Sequence, residues 1–173
     1  MKKILITGGG GYIGSMLSTE LVNLKYEVTV IDQLKYDKGS LDHLYFNKNF
    51  KLINEDVRNS KILKQYINKN EFIIPLAALV GAPLCEKNKR EAISTNFQAI
   101  KKILNNLNKK NKLIYLTTNS GYGMGEKNKY CDERSPLKPM SLYGKTKCDA
   151  EEAVMKFKNT ISFRLATVFG ASY

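Results

Sequence analysis

The sequence predicts an α/β fold, a doubly wound parallel sheet covered by helices on both faces. Three observations predict it. Short apolar runs of strand character alternate with helical stretches along the whole chain. The first run leads into a glycine cluster that opens a helix, Thr7-Gly8-Gly9-Gly10-Gly11-Tyr12-Ile13-Gly14. The second run ends on an acidic residue, Asp32. Strands that alternate with helices pair in parallel, because each crossover helix returns the chain to the same edge. The expected order across six strands is 3-2-1-4-5-6.

Each element follows from local pattern. The run from Ile4 to Ile6 is the first strand, and Ile13, Leu17, Leu21 and Leu24 then recur three or four apart, as on a helix with one buried face. "EVTVI" ends at Asp32 as the second strand. Strand, glycine turn, helix and strand thus fit within about 30 residues, the size of a βαβ unit. "FKLIN" (50–54) and "SKILKQYIN" (60–68) give the third strand and its helix. "EFIIPLAA" (71–78) gives the fourth strand, followed by one long helix from about Glu86 to Asn108. "KLIYLTT" (112–118) is the fifth strand. A loop containing Pro136 and Pro139 leads to a helix carrying Tyr143 and Lys147, and "TISFRLA" (160–166) is the sixth strand. No internal repeat, linker or low-complexity tract interrupts the pattern, so residues 1–173 read as one domain with a sizeable core.

Composition narrows the function classes. The hydrophobic fraction of 43% and charged fraction of 25% suit a soluble globular protein. No apolar run is long enough to span a bilayer, and "MKKILITGGGG" breaks into glycines too early for a signal-peptide core. Cys85, Cys131 and Cys148 follow no metal spacing and read as reduced thiols of a cytoplasmic protein. With His43 the single histidine, no metal site is expected. The net charge of +12 invites a nucleic-acid reading. However, only Arg58, Arg90, Arg134 and Arg164 among the 28 basic residues are arginines, the residue suited to bidentate phosphate and base recognition. The lysines are scattered, so a biased surface rather than a specific nucleic-acid site is expected.

The glycine cluster carries the chemistry. Gly8, Gly11 and Gly14 fit a tight turn, a close backbone approach to a pyrophosphate, and close helix–strand packing, with the helix N-terminus offering N–H groups to the anion. Asp32 stands 18 residues after Gly14, where an acid can bond both ribose hydroxyls and would repel a 2′-phosphate. The expected cofactor is NAD rather than NADP. Tyr143 and Lys147 are four apart and share a helix face, so an ammonium can sit beside a phenol.

Together these residues resemble the extended short-chain dehydrogenase/reductases, and within them the NAD-dependent epimerase/dehydratases that act on nucleotide sugars. The resemblance runs the length of the chain and implies a Rossmann fold. It implies cofactor contacts from Gly8, Gly11, Tyr12, Ile13, Gly14 and Asp32, with Asp56 and Val57 at the adenine. Leu76, Ala77 and Ala78 would line the cofactor, and Asn96 would support the active site and its cofactor. "YLTTNSGYG" matches the segment carrying a catalytic Ser or Thr, read as Thr118 with Thr117 adjacent. "RSPLKPMSLYGKTK" matches the approach to the catalytic tyrosine, and "FRLATVFG" the sixth strand and its exit. In the implied mechanism Tyr143 takes the proton from a sugar hydroxyl, Thr118 orients that hydroxyl, and Lys147 lowers the tyrosine's pKa and bonds the nicotinamide ribose.

Departures refine the expectation. Dehydratases of this family place Asp-Glu after the catalytic Thr, whereas Asn119 and Ser120 stand here. That argues for an epimerase or simple oxidoreductase over a dehydratase. Val80, Thr167 and Pro75 also differ from common family residues, and the sugar stays open. Glu126, Asp132 and Glu133 read as solvated loop charges, Cys85 as a buried or half-buried thiol, and His43 as part of a short surface helix. The sequence stops soon after the sixth strand, so the substrate domain of such enzymes is expected to be absent from it. A fragment of a longer epimerase, a dehydrogenase/reductase with net NAD turnover, and a non-catalytic NAD-binding module all remain open. A nucleotide sugar is the expected partner, with self-association as a homodimer where apolar surface is left uncovered.

Overall fold

The computed structural model describes residues 1–125 and 128–170. Glu126 therefore lies outside the described residues. Six strands, β1 (Lys3–Thr7), β2 (Glu27–Asp32), β3 (Phe50–Asn54), β4 (Phe72–Pro75), β5 (Lys112–Thr118) and β6 (Thr160–Leu165), form one sheet. Its order is β3-β2-β1-β4-β5-β6, and every pairing is parallel, as the sequence predicts. The helices are α1 (Tyr12–Asn23), α2 (Ser60–Ile67), α3 (Ala82–Lys87), α4 (Lys89–Ile93), α5 (Ala99–Asn106) and α6 (Leu142–Met155).

Strand pleating divides the core in two. On one face Ile4, Ile6, Val28, Val30 and Ile74 pack with Val22 of α1. On the other, Leu5, Ile73, Leu113 and Tyr115 pack with Leu63 and Ile67 of α2, Ile100 and Ile103 of α5, and Ala150 and Val154 of α6. Neighbouring residues of one strand thus point to opposite faces, and both faces are covered, which is why β1 reads as an unbroken apolar run. Each fully buried Leu or Ile contributes about 1.5–3 kcal/mol. The outer strand differs. On β6, Ile161 and Phe163 are 48% and 47% exposed. They alternate with Ser162 and Arg164, which are partly buried.

The long helix expected from Glu86 to Asn108 is not one helix. It begins earlier, at Ala82, after Gly81 at φ +93, with Pro83 in the first turn. It breaks at Asn88 (φ −125, ψ 54), whose side chain donates to the Leu84 carbonyl at 3.1 Å. A short polar side chain that bonds the preceding turn competes with helix continuation. After α4 the chain passes through a π-helical turn at Ser94–Gln98 before α5, and this turn carries the buried Asn96.

Helix starts are secured where the sequence supplies caps. Ser141 accepts from the Gly144 N–H at 3.1 Å at the start of α6, and Asn59 accepts from Lys61 and Ile62 at the start of α2. Such caps are worth about 1 kcal/mol. By contrast, α1 starts at Gly11 with no side-chain cap, so its first N–H groups stay available. Among the described residues no helix is long and apolar enough to cross a membrane. The three cysteines are free, Cys85 and Cys148 buried and Cys131 exposed. His43 is exposed in a short 3-10 turn, Asp42–Leu44.

Candidate functional site

A cleft of about 640 Å³ runs along the carboxyl ends of β1, β2, β4 and β5. It crosses the point where strand order reverses between β1 and β4, the position at which doubly wound sheets leave a crevice.

The glycine loop forms its floor. Gly8 adopts φ +75, and a Cβ there would sit 2.3 Å from the Ala77 nitrogen. At Gly14 a Cβ would sit 2.3 Å from the Gly8 carbonyl oxygen. These two glycines let β1, β4 and α1 approach one another. Gly11 is different: the nearest atom to a Cβ there is the Gly8 carbonyl oxygen at 3.4 Å, so the space in front of it is open. That open space adjoins the uncapped start of α1, where Tyr12 and Ile13 also line the cleft.

Asp32 stands beside the loop. Its Oδ2 accepts from the Gly10 N–H at 2.9 Å and its Oδ1 from the Leu34 N–H at 2.7 Å. Each oxygen keeps a second lone pair for a ligand. Asp56 and Val57 line the cleft further along. The Arg58 guanidinium bonds both Asp56 oxygens at 2.9 Å and holds its carboxyl below the usual carboxylate range. Leu76, Ala77 and Ala78 wall the cleft where β4 ends, with the Leu76 N–H donating to the Thr7 carbonyl at 2.8 Å.

Thr118, Tyr143 and Lys147 meet at the other end of the cleft. Lys147 is 6% exposed, and its Nζ stands 4.2 Å above the centre of the Tyr115 ring. Burial pulls Lys147 down to about 8, opposed by Glu151, so it is mostly protonated at neutral pH. Tyr143 is half-buried. Its pKa departs from expectation. Burial raises it, the Cys85 thiol adds to the rise, and the Thr118 hydroxyl acts in the opposite direction through a hydrogen bond. The lowering expected from Lys147 is not among the causes, and desolvation of the phenolate sets the direction. Thr117 also reaches the cleft wall, but its hydroxyl is buried without a hydrogen-bond partner. The Thr118 hydroxyl donates to Ser120 Oγ and accepts from the Ser120 N–H, both at 3.1 Å.

Asn96 is the site residue that the structure does not bring into the cleft. It is buried behind the wall, where its Oδ1 accepts from the Leu79 N–H at 2.7 Å and its Nδ2 donates to the Leu79 carbonyl at 2.9 Å. Asn96 thus clamps the Leu79 backbone, just after the Leu76-Ala77-Ala78 wall of the cleft. Sequence reasoning missed the rim. Lys35, after β2, pairs with Glu91 of α4 at 2.9 Å across the cleft mouth. The two are 56 residues apart, and no local pattern signals that pairing. Among the described residues no three His, Cys, Asp or Glu side chains gather as a metal site.

Comparison with known proteins gives a consistent picture. The sequence model of the NAD dependent epimerase/dehydratase family matches residues 4–172. A UDP-N-acetyl-alpha-D-glucosaminuronate decarboxylase of Bacillus cytotoxicus is 34% identical over 125 residues, covering 72% of this chain and 39% of that protein. UDP-glucuronic acid decarboxylase 1 of Xenopus tropicalis is 30% identical over 177 residues, covering 97% of this chain and 41% of that protein. A crystal structure of UDP-glucuronic acid 4-epimerase from Bacillus cereus, in complex with UDP-glucuronic acid and NAD, superposes with a TM-score of 0.84 at 28% identity. It covers 94% of this chain and 55% of that one. The chain thus spans less than half the length of these two curated relatives and about half of the solved neighbour.

Proposed function

The chain belongs to the NAD dependent epimerase/dehydratase family, and from that premise we propose that residues 1–173 form an NAD-binding domain whose cleft oxidises a nucleotide sugar transiently, as the first step of epimerisation. One observation carries the reading: Thr118, Tyr143 and Lys147 converge at one end of a cleft whose floor is the glycine loop and Asp32.

The residues present fit a dinucleotide. The open space before Gly11 and the uncapped N–H groups of α1 suit a pyrophosphate. Asp32 offers lone pairs to ribose hydroxyls, and Asp56 and Val57, which line the same cleft, would meet the adenine. Ala77 and Ala78 leave room along the wall. Lys147 would hold the nicotinamide ribose. NAD, when bound, supplies the acceptor for a hydride and returns it later in the cycle.

The chain's own residues handle the proton. Thr118 orients the sugar hydroxyl, and Tyr143 Oη accepts its proton as the O–H bond breaks, the carbonyl forms and the carbon loses hydride. Tyr143 is a neutral phenol in the protein alone, since burial raises it. It becomes a base when a further positive charge stands beside it. Asn119 and Ser120 offer no acid to expel a hydroxyl, which supports epimerisation over dehydration. A second reading, oxidation followed by loss of the carboxyl group as carbon dioxide, is favoured by relatives at 30% identity or more that are named as decarboxylases.

The test uses UDP-glucose and UDP-glucuronic acid deuterated at the carbon to be oxidised, with mass spectrometry of the nicotinamide. Label should enter the nicotinamide and return, giving the epimer without accumulation of NADH. Release of carbon dioxide selects the second reading, and steady NADH selects a dehydrogenase. Tyr143→Phe should lower label transfer by at least about 100-fold while NAD affinity changes less than about twofold. Equal transfer by the variant contradicts the role of Tyr143.

A further inference from the structure

We propose that Glu151, held by Arg164, is the positioning residue for Lys147, and that the same brace fixes the turn following Thr118, so that both sides of the Tyr143 site are held by one network. The proposal rests on the reading of Lys147 as a member of that site.

Lys147 and Glu151 lie four apart on α6 and so share a face. Each is 6% exposed. A carboxylate buried this deeply is tolerated only when bonded. Glu151 accepts from Arg164 Nε with both oxygens, at 2.9 and 3.2 Å. Arg164 then reaches onward. Its Nη1 donates to Tyr122 Oη and to the Glu133 carbonyl, each at 3.2 Å, and its guanidinium lies 5.3 Å from the centre of the Tyr122 ring. Tyr122 closes the 3-10 turn Asn119–Tyr122, which starts at Thr118. One set of contacts therefore runs from the lysine-bearing helix through β6 to the turn beside Thr118.

Beneath the ammonium lies Tyr115, fully buried, whose hydroxyl has no hydrogen-bond partner. Its ring face rather than its hydroxyl is the part that meets Lys147. The titratable groups around this region are Tyr143, Cys148 and Glu151 on α6, Tyr115 on β5, Cys85 on α3 and Arg164 on β6. Burial pushes both tyrosines and both cysteines up, so they are neutral at pH 7. Glu151 is then the charge that acts on Lys147, and Arg164 is the charge that holds Glu151. The fork of Arg164 keeps Glu151 from drawing the ammonium out of the cleft, while the carboxylate still opposes its desolvation.

The brace predicts shifts of opposite sign, which a merely structural role does not. The measurement is an NMR titration of the 173-residue chain carrying lysine isotopically labelled at Cε, with the Lys147 signal identified by its loss in Lys147→Arg. In the wild type it should titrate near 8. Glu151→Gln should lower the midpoint by about one pH unit or more. Arg164→Gln should raise it, because Glu151 is released from Arg164 and left to act on Lys147 alone. Tyr115→Phe, which keeps the ring, should leave it unchanged. Should Glu151→Gln fail to fold, Arg164→Gln decides alone. A midpoint unmoved in Glu151→Gln, or one that does not rise in Arg164→Gln, overturns the proposal. NAD titration of the same wild-type sample separates the two ideas: no binding removes the reading of the site and leaves the midpoint shifts to judge the brace.

Discussion

At the scale of single residues, the charge on Lys147 is set by its surroundings: burial pulls it down to about 8, and Glu151 opposes the shift. The glycines, Asp32, Tyr143 and Lys147 stand out in the sequence because few residue types suit the phosphate turn, ribose contact and phenol–ammonium pair proposed for them. Which lysine is buried is invisible in a lysine-rich chain, as is the pairing of Glu151 with Arg164, 13 residues away. The burial of Lys147 has a consequence for stability. Its folded value near 8 lies below the roughly 10.4 of an exposed lysine, so between those values the unfolded chain holds a proton that the folded chain has released. Stability contributed by this group therefore rises with pH across that window, and at pH 7 the fold bears the penalty. Lys147→Met should raise the unfolding free energy at pH 7 by about 1–3 kcal/mol, with the gain shrinking toward pH 10. Urea titrations at the two pH values check this, and a variant less stable than wild type at pH 7 would contradict it.

At the scale of elements, the strands were read closely and the helical region between β4 and β5 was not. β3 and β5 fall on the expected residues because apolar runs flanked by polar ones mark buried strands well. The segment from Gly81 to Asn106 misleads because Asn88 bonds its own preceding turn and the π-helical turn shifts the register that periodicity assumes. Asn96 lies in that turn, buried. The glycine loop allows a test that separates folding from binding. Gly8→Ala forces a side chain against the Ala77 backbone at positive φ, and should destabilise the chain by more than about 1 kcal/mol. Gly11→Ala meets open space, so it should melt within a few degrees of wild type yet lose most NAD affinity, because the methyl group occupies the pyrophosphate's space. Thermal melts with and without NAD distinguish the two variants. Unchanged NAD affinity in Gly11→Ala would mean that the open space is not a ligand's.

At the scale of the whole molecule, the parallel sheet and its order follow from alternation and from the right-handed crossover rule, so the position of the cleft followed once β1, β2 and β4 were placed. The state of β6 was not legible, since Ile161 and Phe163 read as core by type and stand half exposed. With Val168 and Phe169 also exposed nearby in the chain, this end of the sheet should promote concentration-dependent self-association, reduced by Phe163→Glu, as read by sedimentation velocity. The central claim is that the cleft is built for NAD, with Asp32 selecting it. Calorimetric titration of the 173-residue chain with NAD and with NADP tests this most directly. Saturable binding of NAD should be at least about tenfold tighter than that of NADP, and Asp32→Asn should erode the difference. A wild-type chain that binds both cofactors equally, or neither, would contradict the account.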